Sequence, residues 1–322
     1  MKVSVETGSR LHMGFTNLSE DVGRSYGSIG VTLDRPRTTV VLERSNTLDI
    51  AGENSERIWA YVRRFSEYFS VQPDVTVDVR DRIPEHAGLG SGTQLALALG
   101  MALATMSGVR ADVHEVARAM GRGRRSGVGV AAFDVGGSII DAGHKKNGAA
   151  SGSIPTIVFR RNFPSEWRFV VAIPGSRGGL SGPGEEKAFR LLSASTRVSE
   201  EICRLTQLRL MPALVEEDIQ EFGDALTAID RKTGAYFADV QGGVYGGGET
   251  GELIETMLEA GAYGAGQSSW GPAVYGLVDQ DGATRVEEEA RALLDKTQRG
   301  GSVFVARGRN VGARINVRME NL

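Results

Sequence analysis

The sequence predicts an α+β fold built from two intimately joined modules. Three observations predict it: a length of 322 residues, which exceeds the usual single core; strand-like alternation at the start of each half; and helical spacing between those strands. Hydrophobic residues make up 41% and charged residues 24%, which is ordinary globular usage and excludes both wholesale disorder and a fibrous repeat.

Residues 1–50 alternate apolar and polar positions, as in Thr38-Thr39-Val40-Val41-Leu42-Glu43, with turns at Gly14, Gly23, Gly27 and Gly30, so they read as antiparallel strands. Ile58, Tyr61, Val62, Phe65 and Phe69 follow at helical spacing within Ser55–Ser70, and Val75–Val79 alternates as a strand. After a loop at Pro84–Gly92, Thr93–Ser107 reads as a buried helix; Asp112 is placed to N-cap a third helix, Val113–Met120, with Glu115 at the capping-box position. The glycine-rich stretch 121–143 reads as a turn and a strand, drawing on Val128–Phe133 and Ser138–Ile140, and Lys145–Ser153 resembles a linker. A new strand begins at Phe169–Pro174, which divides the chain into domains 1–155 and 156–322. In the second half, helices are expected near Lys187–Leu210, Leu214–Thr233 and Glu252–Glu259, and a strand pair at Ala273–Val278 and Ser302–Ala306 flanks a last helix.

Lys plus Arg number 37 and Asp plus Glu 40, a net charge of −3, so nucleic acid is not the expected partner. Cys203 is the one cysteine, which fits a reducing, cytoplasmic setting; the opening Met1–Glu6 lacks the apolar core of a secretory signal, and no run is long enough to span a bilayer.

The loop Gly88-Leu89-Gly90-Ser91-Gly92-Thr93 lies between a strand and a helix, where backbone amides converge on an anion, and it is the candidate phosphate-binding element. It lacks the Gly-Lys-Ser/Thr ending of a Walker A loop, and position 93 lacks the third glycine of a dinucleotide fingerprint.

Pro84-x-x-x-Gly88-Leu89-Gly90-Ser91 resembles the second signature of the GHMP superfamily, which includes galactokinase, homoserine kinase and mevalonate kinase. The segments Ser9–Phe15, Gly23–Gly30, Ser126–Phe133 with Gly136-Gly137 and Asp141–His144, Pro174-Gly175 with Gly179–Gly182 and Glu185, and Gly264–Pro272 extend this to a resemblance to the β-ribofuranosylaminobenzene 5'-phosphate synthase family. The resemblance implies a GHMP-kinase-like fold, with an N-terminal half like ribosomal S5 domain 2 and a ferredoxin-like C-terminal half. It also implies a magnesium-dependent (Mg2+), dimeric enzyme of methanopterin biosynthesis. Such an enzyme condenses 4-aminobenzoate or 4-hydroxybenzoate with phosphoribosyl pyrophosphate, releasing pyrophosphate and carbon dioxide.

Where superfamily kinases often carry a catalytic aspartate, this chain has Gly129, which cannot take a proton. The proposed condensation tolerates that loss, because departure of carbon dioxide restores the ring without removing a proton. Asp134, Asp141 and Glu85 are the candidates for magnesium, with Asp134 and His12 the candidates for a direct part in the chemistry. Arg10 and Arg24 are placed to grip a 5'-phosphate or the aromatic carboxylate, or to make ordinary salt bridges; Ser126, Gly127, Ser268 and Ser269 complete the substrate set. Trp270, Tyr26 or Tyr245 could stack on the ring, and Arg118, Arg122, Arg124 and Arg125 could steer a polyphosphate or form a solvated basic face. Two other functions fit the same loop: an ATP-dependent small-molecule kinase of the GHMP family, and a non-catalytic phosphometabolite-binding protein.

Overall fold

A computed structural model of the chain describes residues 1–19, 21–50, 55–145, 153–175, 195–297 and 299–319. In chain order its first part contains β1 (Lys2–Phe15), β2 (Arg24–Ser25), β3 (Ser28–Arg44), β4 (Asp49–Ile50), α1 (Ser55–Phe69) and β5 (Val75–Asp81). Then come α2 (Ser91–Ser107), α3 (Val113–Ala119), α4 (Val128–Asp134), β6 (Ser138–Asp141), β7 (His144–Lys145) and β8 (Ile157–Arg161). The second part contains β9 (Arg168–Pro174), α5 (Thr196–Leu205), α6 (Met211–Glu216), α7 (Ile219–Gln241), α8 (Gly248–Glu259), β10 (Gly264–Gln267), β11 (Val274–Val278), α9 (Ala283–Lys296), β12 (Gly301–Arg307) and β13 (Arg314–Arg318).

The alternation read from the N-terminus produces β1 and β3, which pair antiparallel from Lys2↔Glu43 to Phe15↔Ser28. They are neighbours in a seven-stranded sheet with the path β13-β1-β3-β5-β4, to which β6 and β8 attach beside β3. β8 and β13 thus join this sheet although both lie beyond residue 155. Val3, Val5, Val40 and Leu42 point from one face into a core shared with Phe65 of α1 and Leu97 and Leu99 of α2. Burying each such side chain contributes about 1.5–3 kcal/mol. α2 is apolar on every side and correspondingly buried along its length.

The second sheet is four-stranded in the order β10-β11-β9-β12. β11 and β12, read from the sequence as a pair, instead flank β9, each antiparallel to it. Leu253, Met257, Val286 and Leu294 of α8 and α9 pack on one face. The other face meets α7 and the first sheet in a single cluster holding Leu11, Met13, Val31, Phe169, Ile229 and Tyr275, so the two modules share a core.

Four readings need correction. Val128–Phe133 is a helix rather than part of a strand: Val128, Ala131 and Ala132 pack toward Ile139, while Val130 and Phe133 face the α2 core, a helical division of faces. The helix expected at Leu214–Thr233 is interrupted by Glu217, at φ +59°, and restarts behind Asp218, whose side chain accepts from Glu221 N at 3.0 Å. The strands β8, β10 and β13 were not foreseen, because two are exposed and the third is rich in glycine. Of the helix expected at Lys187–Leu210, the described part starts at Thr196 and ends in a π-helical turn at Thr206–Leu210. The positions Gly179–Gly182, Glu185 and most of the expected linker lie outside the described residues.

Candidate functional site

The glycines of the loop have the conformation that position requires. Gly88 and Gly90 sit at φ +83° and +82°, in the left-handed region, and Gly90 is the N-cap of α2 with no side chain to close the helix end. The amides of Thr93 and Gln94 both turn back to Gly90 O at 3.1 Å. This leaves the earlier amides and the positive end of the helix dipole at the loop mouth.

Cations surround that mouth. A Cβ placed on Gly92 would lie 2.5 Å from Arg57 Nη2 and 3.6 Å from both terminal nitrogens of Arg122. Tyr61 stands between the two guanidiniums: Arg57 Nε donates to its hydroxyl at 3.3 Å, and Arg122 Nη2 donates to the same oxygen. Arg57 also pairs with Glu85 at 2.8 Å. Arg122 has no carboxylate partner among the described residues, and its Nε is buried without a hydrogen bond. Burial, followed by the charges of Arg57 and Arg125, pushes its pKa down to about 10, so it remains charged at neutral pH. A partly desolvated cation with no counter-ion among the described residues, beside a helix N-terminus, is an arrangement that a polyphosphate would complete.

Arg10 closes the loop from the other side. Its backbone amide donates to Leu89 O at 3.1 Å, its Nη1 donates to Gly88 O, and its side chain passes 3.1 Å from where a Gly90 Cβ would be. Ser268 and Ser269 join the same assembly. The Ser268 hydroxyl donates to Gly88 O at 2.8 Å and accepts from His12 N at 3.1 Å, while Ser269 N donates to His12 O at 3.0 Å. Thr93 faces Gly129, whose Cβ would lie 3.2 Å from Thr93 Cγ2.

The proposed magnesium carboxylates are not brought together. Asp141 is fully buried and accepts from Ser28 N at 3.1 Å, Gly127 N at 2.7 Å, Gly143 N at 2.8 Å and Ser126 Oγ at 3.2 Å. Burial raises its pKa and those hydrogen bonds oppose the rise; the side chain works as a clamp on the turn that leads into α4. Arg24 is tied to the same turn by Nη1 donating to Gly143 O at 3.1 Å. Asp134 lies exposed at the C-terminal end of α4, several residues beyond Gly129, with its carbonyl packed against Gly312. Glu85 is at the loop but engaged by Arg57. No three His, Cys, Asp or Glu side chains form a metal-holding group among the described residues, so Asp134, Asp141 and Glu85 do not fit a common magnesium site.

His12 is buried, and burial together with the charge of Arg10 pushes its pKa down to about 3, which leaves the imidazole neutral at pH 7. It therefore offers a hydrogen-bonding ring rather than a proton at the working pH. It lines a cleft with Phe15, Asp230, Thr233, Phe237 and Trp270. Of the three aromatic candidates, Trp270 and Tyr245 line this cleft, whereas Tyr26 packs on Phe15 at 6.0 Å.

Sequence reasoning missed Arg57 and Asp230. Arg57 reads as a solvent-facing charge on α1, and nothing local ties it to a loop 35 residues away. Asp230 did carry a signal: it continues the buried stripe of Phe222, Leu226 and Phe237, where a carboxylate is out of place.

Comparison with known proteins gives the class first. Residues 56–137 match the GHMP kinases N terminal domain and residues 210–296 the GHMP kinases C terminal model. The fold is similar to a homoserine kinase from Cytophaga hutchinsonii (TM-score 0.71, 15% identity, 98% of this chain and 97% of the other). It is likewise similar to Lactococcus lactis galactokinase (TM-score 0.70, 14% identity, 97% and 95%). Similarity in sequence is greater to the β-ribofuranosylphenol 5'-phosphate synthases of Methanothermobacter thermautotrophicus (32% identity, 97% of this chain and 98% of the relative) and Archaeoglobus fulgidus (34%, 97% and 99%). The chain belongs to the GHMP kinase superfamily and, within it, to the family of these synthases.

Proposed function

We propose that this protein joins ribose 5-phosphate, delivered as phosphoribosyl pyrophosphate, to the carboxylate-bearing ring carbon of 4-hydroxybenzoate or 4-aminobenzoate. The ring-to-anomeric carbon bond forms as the bond from that carbon to the diphosphate oxygen breaks. The ring-to-carboxylate bond then breaks, carbon dioxide leaves, and its electron pair restores aromaticity. The product feeds methanopterin biosynthesis, the role the family resemblance implies.

One observation carries this reading: Arg122 is a half-buried guanidinium, its Nε enclosed, without a carboxylate partner among the described residues, at the N-terminus of α2. Arg122, Arg57 and the loop amides supply fixed positive charge to a departing diphosphate, where preorganised donors are worth most. Gly129 supplies no base, and none is needed when the electrophile on the ring is lost as carbon dioxide. The relatives are β-ribofuranosylphenol 5'-phosphate synthases, a name that supports the same chemistry and favours the hydroxylated ring.

The test is incubation of the purified protein with magnesium, phosphoribosyl pyrophosphate and either benzoate labelled in the carboxyl group. Labelled carbon dioxide and a riboside phosphate are expected. Transfer of the γ-phosphate of ATP to a small acceptor without carbon dioxide release would establish a kinase instead, and tight phosphoribosyl pyrophosphate binding without turnover a sensor.

A further inference from the structure

The cleft lined by His12 lies two residues along β1 from Arg10, which contacts the phosphate loop, and the loop assignment leaves it unexplained. Its walls are aromatic. Phe15 and Phe237 approach at 5.6 Å between ring centroids, Phe237 and Trp270 at 4.8 Å, and His12 and Phe15 at 4.9 Å. Among the described residues no lysine or arginine lines it, so it does not suit a phosphate.

The buried end of the cleft is polar in a way the fold does not account for. Asp230 is 5% exposed; its Oδ1 accepts from Gln267 N at 3.1 Å, which explains one oxygen as a support for the end of β10. Its Oδ2 has no hydrogen-bond partner among the described residues, and neither has the buried Oγ1 of Thr233, one turn further along α7. A buried polar atom left unpaired costs about 1–3 kcal/mol, so two of them lining one cleft call for a ligand group. Desolvation holds the Asp230 carboxyl well above the usual carboxylate range, and in its protonated form it both donates and accepts. Such a pair complements a neutral hydroxyl or amino group, not an anion.

His12 links the cleft to the loop: it lines the cleft, and its backbone is hydrogen-bonded to both Ser268 and Ser269, of which Ser268 also holds Gly88. A flat ring lying on this aromatic surface with its neutral substituent on Asp230 would have its other end on the His12 side, toward Arg10, whose charge acts on His12.

We propose that this cleft is the arene subsite: Phe15, Phe237 and Trp270 hold a para-substituted benzoate, and Asp230 with Thr233 selects its hydroxyl or amino substituent. This rests on the synthase reading above and assigns the specificity-determining residues within it.

Calorimetry of 4-hydroxybenzoate, 4-aminobenzoate and unsubstituted benzoate against wild type, Asp230→Ala, Asp230→Asn and Thr233→Val tests it, with phosphoribosyl pyrophosphate titrated in parallel. Wild type is expected to prefer the substituted benzoates over benzoate by about tenfold or more, the value of a good buried hydrogen bond. Asp230→Ala and Thr233→Val should cut that preference to about twofold, with benzoate and phosphoribosyl pyrophosphate affinities held within about twofold. Thr233→Val is nearly isosteric and carries the test if Asp230→Ala does not fold. A preference that survives in the folded variants, while wild type still releases carbon dioxide, overturns the cleft assignment and leaves the synthase standing. Wild type that binds no benzoate and releases no carbon dioxide overturns both.

Discussion

Ser268 and Gly88 hold the two halves of the site together: the Ser268 hydroxyl donates to the Gly88 carbonyl at 2.8 Å, across 180 residues of sequence, and accepts the His12 amide at 3.1 Å. One fully buried hydroxyl thus sets the distance between the phosphate loop and the cleft. Ser268→Ala leaves the His12 amide buried without an acceptor and should cost about 1–3 kcal/mol in urea unfolding. The KM for phosphoribosyl pyrophosphate should rise with it. Unchanged stability and KM would show that the loop holds its position without this bridge.

Gly90→Ala combines a left-handed backbone with a Cβ at 3.1 Å from the Arg10 side chain, so it should weaken phosphoribosyl pyrophosphate binding as well as stability. Gly108, at the other end of α2, has φ +69° and open space around it. Gly108→Ala should show only the backbone penalty, about 1 kcal/mol, with binding unaltered. Equal binding losses in the two variants would mean that the effect is general to α2 and not local to the loop.

Arg122→Gln separates function from stability. Removing a half-buried cation that has no counter-ion among the described residues should raise the unfolding free energy of the ligand-free protein by up to about 1 kcal/mol. It should also lower phosphoribosyl pyrophosphate affinity by about tenfold and flatten its dependence on salt. A variant less stable than wild type that keeps full affinity would assign Arg122 to the scaffold.

Gly129→Asp places a carboxylate beside Thr93, and its Cβ would lie 3.2 Å from Thr93 Cγ2. The like charge should weaken phosphoribosyl pyrophosphate binding by about tenfold and should create no ATP-dependent phosphotransfer, since one base does not supply an acceptor-hydroxyl site. Phosphotransfer gained by this one change would mean that the kinase site is otherwise intact.

His12 makes folding depend on pH. Its pKa is about 3 in the folded protein and ordinarily about 6.5, so between these values the unfolded chain binds the extra proton. Its stabilising effect is therefore full above about pH 6.5 and declines as pH falls, by up to about 1.4 kcal/mol per pH unit. Urea titrations at pH 7, 6 and 5 should show this slope flattened in His12→Gln. An identical slope in both proteins would place the pH sensitivity elsewhere.

Local chemistry made part of this protein legible without a structure. The Gly88–Thr93 loop was readable because left-handed backbone beside a helix start demands glycine at particular positions, and Gly88 and Gly90 have that geometry. The start of α3 was readable because Asp112 and Glu115 satisfy helix-end amides within one turn, and Asp112 does accept from Glu115 N at 2.7 Å. Val128–Phe133 was not, since a short apolar run with a glycine has no period long enough to separate helix from strand, and packing between Ile139 and α2 decided it. The meaning of charged groups depended still more on the tertiary structure. Arg57 and Asp230 carry the same charges in any sequence window; only the packing of α1 over α2 puts the first beside Gly92, and only the burial of α7 against β10 leaves the second with an unpaired oxygen in an aromatic cleft. Glycine and capping preferences act over a few residues, so they set the turn at Gly88–Gly90 and the start of α3 wherever those segments lie. Which charges form a site depended on folding, because desolvation and proximity are properties of neighbours distant in the chain.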